Sequence, residues 1–139
     1  MLYPMFALVL LTFVVLLVNF IWRVRAVRTR QVSVKYFRVF EGVDAPEYLK
    51  AGARHYANLF ELPVLFYVAC LTAMQLQQQQ SAILLTLAWA FVVFRVIHAV
   101  IHMSYNNVIH RMTAFWGGVL AVLAMWTVLA LHYASRSLS

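Results

Sequence analysis

Arg54, Asn58 and Glu61 stand at i, i+4 and i+7 in a run that otherwise reads as a membrane-crossing helix. That spacing sets all three on one helical face. A carboxylate in hydrocarbon costs about 2.5–3.5 kcal/mol on insertion scales, so it demands a partner. A second polar series can supply one. Arg95, His98 and His102 are spaced i, i+3 and i+7, and they too share a face. Charge inside a membrane is a functional lead by default. The same groups can also serve as polar glue, at roughly 0.6 kcal/mol for an average interhelical hydrogen bond.

The elements that must carry these residues follow from composition. Of 139 residues, 65% are hydrophobic and only 11% charged, which marks a small integral membrane protein of one domain. The expected spans are 2–22, 46–74, 82–103 and 112–133. Asp44-Ala45-Pro46-Glu47 reads as a helix start, with Asp44 as cap and Glu47 completing a capping box. Helical character then continues to Met74, with a kink expected at Pro63. The uncharged stretch Gln75–Ser81 reads as a tight turn, and Asn106-Asn107 breaks the chain before the last span. Gly117-Gly118 would permit close backbone contact with a neighbour.

The eleven Lys and Arg outnumber the four Asp and Glu, and most lie between Arg23 and Arg38. In an apolar chain this balance marks a cytoplasmic face rather than nucleic acid. Positive-inside places both termini outside the cytoplasm. The first span lacks a preceding positive charge and a small-residue cleavage site, so it reads as a retained helix. The lone Cys70 excludes an intrachain disulfide and lies in an apolar run, as packing.

Depth connects the two polar series. Counted from the glutamine turn at 1.5 Å per residue, Glu61 and Arg95 lie roughly 21 Å and 20 Å deep. An ion pair between Glu61 and Arg95 is therefore expected. Asn58 should level with His98, and Arg54 with His102. The six groups would form one polar stripe open toward the cytoplasm.

Arg54-x3-Asn58-x2-Glu61 followed by Pro63 resembles the second-helix signature of the MAPEG family, the membrane-associated proteins in eicosanoid and glutathione metabolism. Arg23-Val-Arg25 is similar to the basic exit of that family's first helix. Arg95-x2-His98 resembles a third-helix pattern of its prostaglandin synthase branch, and Arg111 falls at that branch's fourth-helix arginine. The resemblance implies an all-α, integral membrane four-helix bundle that assembles as a homotrimer, with glutathione as co-substrate between subunits at the cytoplasmic side. By position, Arg54, Asn58, Glu61 and His98 would hold the tripeptide, with His102 beside them and Arg23 contributing from the first helix. Arg111 would be the catalytic residue that stabilises the thiolate. The implied activity is a transferase or peroxidase acting on a lipophilic small molecule in a bacterial inner membrane, with no metal. His102 stands where family enzymes often carry tyrosine, Tyr56 where the prostaglandin synthase has histidine, and Met112 where it has serine.

Other readings stay open beside this one. His98-x3-His102 has the spacing of a metal pair, and His55 and His110 should lie near the same membrane face, but no HExxH or Cys/His spacing supports a metal or haem. A small multidrug-type exporter would centre on a membrane carboxylate. Here Glu61 lies in the second span and Arg95 would neutralise it. A non-catalytic lipid-binding or accessory subunit of a membrane complex also fits, since the family includes a member that binds lipid without catalysis.

Overall fold

The computed structural model describes residues 1–39 and 45–137. Among these, all regular structure is helical: α1 (Leu2–Arg28), α2 (Tyr36–Val39), α3 (Glu47–Asn58), α4 (Leu62–Gln75), α5 (Ala82–Met103) and α6 (Val108–Ser137). Four segments are long and apolar enough to cross a membrane: α1, α3 with α4, α5, and α6. The expected Asp44 cap lies outside the described residues. Pro46 itself occupies the N-cap position of α3.

The second span is broken rather than kinked. α3 stops at Asn58 and α4 starts at Leu62, with Glu61 at φ −97°, ψ −93° between them. Pro63 is the local cause. It has no N–H to offer the carbonyl of Leu59, and its ring would clash there. Proline is tolerated in the first turn of a helix, so α4 begins just ahead of it. Both turns that set the register of α5 use a left-handed residue. Gln77 (φ 57°) closes α4 while the N–H of Gln78 donates to the Ala73 carbonyl at 2.7 Å. Asn106 (φ 48°) closes α5 with its N–H on the Ile101 carbonyl at 2.8 Å.

The bundle packs through small residues. Ala69, Ala73, Ala88 and Ala121 are buried around Phe66, Phe91 and Met125, and the rings of Phe66 and Phe91 stack at 4.5 Å. In lipid there is little hydrophobic drive between helices, so close van der Waals packing must hold them. Gly117 shows how close α5 and α6 come: a Cβ there would collide with the Phe94 ring. Gly52 does the same between α3 and α1, where a Cβ would meet the Oδ1 of buried Asn19. Large side chains such as Phe13, Leu17, Phe20 and Leu123 stay exposed, as a lipid-facing surface requires. A separate cluster of Ala26, Val32, Tyr36 and Leu49 ties the end of α1 to the start of α3.

Candidate functional site

The break at Asn58 decides where the polar stripe goes. A helix end leaves carbonyls without intrahelical donors, and in hydrocarbon they cannot be left bare. Arg95 of α5 supplies the donor. Its Nη2 reaches the Asn58 carbonyl at 3.2 Å and the Asn58 Oδ1 at 2.8 Å. Asn58 Nδ2 in turn donates to Glu61 Oε2 at 3.1 Å. Glu61 and Arg95 thus meet through Asn58 rather than in the direct ion pair expected from depth. The charges suit their places, because Arg95 stands at the negative end of α3 and Glu61 at the positive end of α4. Arg95 is fully buried, and its Nε and Nη1 have no partner among the described residues.

The register therefore slips by three residues, a little under one helical turn and roughly 4.5 Å, a distance an extended arginine side chain can span. Asn58 faces Arg95 instead of His98. His98 and His102 face His55, with ring centroids 5.5 Å and 5.1 Å from it. His55 is completely buried, and among the described residues neither of its ring nitrogens has a partner. Among the described residues no three His, Cys, Asp or Glu side chains are arranged to hold a metal ion.

Around His98 and His102 lies a cleft of about 360 Å³. Arg54, Asn58, His98, His102 and Arg111 form its polar wall, and Val108, Met112 and Phe115 its apolar wall. Both histidines are anchored through Nδ1. His98 Nδ1 is 3.0 Å from the backbone carbonyl of Arg111. A carbonyl only accepts, so His98 carries a proton on Nδ1, and in the neutral imidazole Nε2 is left with a lone pair. Arg111 Nη1 donates to Asn106 Oδ1 at 2.8 Å and stands 2.8 Å from His102 Nδ1. Asn107 caps the start of α6, its Oδ1 accepting from the N–H groups of Ile109 and His110. Arg111 is thereby fixed at the first turn of α6, half-buried, while Arg54 is exposed with no side-chain partner among the described residues.

Of the residues singled out from sequence, Arg54, Asn58, His98, His102 and Arg111 share this cleft. Glu61 and Arg95 do not line it: Arg95 is buried against Asn58, and exposed Glu61 accepts from the Asn58 amide. Arg23 lies elsewhere: its guanidinium sits 5.7 Å over the Phe37 ring and borders a different groove of α1. Sequence reasoning missed Asn106 as the anchor of Arg111, reading it only as a breaker. It also left His55 outside the stripe, although His55 is three residues before Asn58 and so on its face. A larger cleft, about 590 Å³, lies at the glutamine-turn end between α4 and α6. Its lining is apolar apart from Thr72, Gln75 and the polar tips of Trp126 and Tyr133, and it holds none of the stripe.

The model of the MAPEG family matches residues 1–131 of the 139. Neither the curated proteins nor the solved structures hold a significant match to the chain.

Proposed function

The chain belongs to the MAPEG family, and from that membership we propose a membrane glutathione-dependent transferase or peroxidase acting on lipophilic electrophiles. One observation carries the reading: a single cleft sets Arg54, His98 and Arg111 against the apolar wall of Val108, Met112 and Phe115. Glutathione brings two carboxylates, an ammonium and a thiol. The unpartnered Arg54 guanidinium can clasp a carboxylate in bidentate fashion. His98 Nε2 accepts a ligand N–H. Glu61 keeps one carboxylate oxygen for the ammonium. Arg111 lies beside the sulfur, where a guanidinium favours the thiolate over the thiol, whose free pKa is near 8.5.

In conjugation the thiol releases its proton to solvent, and the sulfur lone pair forms a bond to the electrophilic carbon as the leaving group departs. With a hydroperoxide the thiolate attacks the terminal oxygen, the O–O bond breaks to give an alcohol, and a second glutathione resolves the sulfenate to disulfide and water. The exposed side chains of Val108 and Met112 open the apolar wall toward lipid, the direction from which such a substrate arrives. The assembly is a homotrimer in the bacterial inner membrane. The cleft lies at the cytoplasmic side between copies, Arg23 comes from a neighbouring copy, and both termini lie outside.

Titrating the purified protein with glutathione tests this. Thiolate absorbance near the ultraviolet edge should appear, lost in Arg111→Ala, with about 1.4 kcal/mol of stabilisation at ten times Kd. Absence of both signals at millimolar glutathione overturns the reading. A second reading, a non-catalytic lipid-binding or accessory subunit, is favoured by one observation: Asn58, Glu61 and Arg95 already satisfy one another across the break.

A further inference from the structure

The exposed side of α1 carries a stripe that ends in charge. Phe13, Leu17, Phe20 and Ile21 are all more than half exposed, and Val24 continues the same face. Arg25 and Arg28 follow, exposed, three residues apart and on one side of the helix. Val24 and Phe20 floor a groove of about 450 Å³ beside Ile21, with Arg25 and Arg28 at its end. Among the described residues neither guanidinium has a hydrogen-bond or ion-pair partner. They are not consumed by the helix terminus either. The last carbonyls of α1 already accept from the N–H groups of Thr29, Arg30 and Gln31.

From Phe13 to Arg28 the stripe is about 22 Å long at 1.5 Å per residue. That is one leaflet, about half of the 40–45 Å that a bilayer measures with its headgroups. We propose that this groove binds one anionic phospholipid, its phosphate held between Arg25 and Arg28 and one acyl chain laid along Val24, Phe20 and Leu17. Two guanidiniums suit a phosphate, which they contact through paired N–H donors. A phosphate suits the arginine end better than a second copy of this chain does, because the chain has only four Asp and Glu against eleven Lys and Arg. The site is separate from the cleft around His98 and does not depend on thiol chemistry.

Native mass spectrometry of the full chain released from detergent, with phosphatidylglycerol or phosphatidylcholine added, reads the site directly. The parent protein should retain phosphatidylglycerol and release phosphatidylcholine. Removing two membrane-surface cations in Arg25→Gln/Arg28→Gln should weaken phosphatidylglycerol about thirtyfold. Arg30→Gln/Lys35→Gln removes the same charge from residues that do not line the groove and should leave phosphatidylglycerol retention close to the parent's. Val24→Trp fills the groove with both arginines in place and should also abolish retention, which keeps the test decisive where the arginine variant folds poorly. Equal losses in the two double variants, equal retention of the two lipids, or full retention by Val24→Trp would each overturn the proposal.

Discussion

Asn106 holds Arg111 in place, and its own backbone is what makes that testable. Its φ of 48° is left-handed, a conformation glycine adopts without cost. Asn106→Gly therefore removes the Oδ1 acceptor while leaving the turn intact. A hydrogen bond to a charged group is worth about 1.5–3 kcal/mol. We expect kcat/KM with glutathione to fall at least about tenfold, with a stability loss no larger than that of this hydrogen bond. Asn106→Asp, which keeps an acceptor, should retain most of the activity, and an Asn106→Gly protein with parental kinetics would remove this residue from the site. Arg111 was readable as a lone basic residue at a span boundary. Its anchor was not, because an asparagine pair reads first as a breaker, and only the fold brings Oδ1 onto the guanidinium.

At the scale of elements, Pro63 and Arg95 should prove to be coupled. Arg95→Met leaves the Asn58 carbonyl bare in the membrane and is expected to destabilise by several kcal/mol, in the range for an orphaned buried partner. Pro63→Ala lets Leu62 N–H return to that carbonyl. In the Pro63→Ala background the Arg95→Met penalty should therefore shrink by about 1 kcal/mol, read as a double-mutant cycle of thermal or denaturant unfolding in detergent. A strictly additive cycle would mean that Arg95 does not cap the break. The apolar runs made all four crossing segments legible, since length and hydrophobicity are properties of sequence. The break was legible only as a kink at Pro63. Depth counting at a constant rise then put Glu61 opposite Arg95, whereas the structure puts Asn58 between them. A three-residue slip is invisible to counting because a long side chain can cover it.

At the scale of the whole molecule, the single chain leaves Arg23 away from the cleft that holds Arg54 and Arg111. If the site is completed between copies, Arg23→Gln and Arg111→Ala should each lower activity, and mixed assemblies should recover part of it. Some interfaces in a mixed trimer join an intact Arg23 to an intact Arg111. Co-expression with two affinity tags isolates such assemblies, and activity no higher than that of either parent would place Arg23 outside the site. Which part of the apolar surface left uncovered on α1 and α6 meets lipid was not legible in sequence, since lipid-facing and partner-facing surfaces favour the same side chains. The broken second span bears on how the protein is made. The donors that close the Asn58 end of α3 come from Arg95, thirty-seven residues later in the chain. The second span thus leaves the ribosome as an unfinished object, and it is completed only when the third arrives beside it. Entry of the two as a hairpin keeps that carbonyl covered, whereas a polypeptide cut between them, or one whose third span is delayed, would present it open to hydrocarbon.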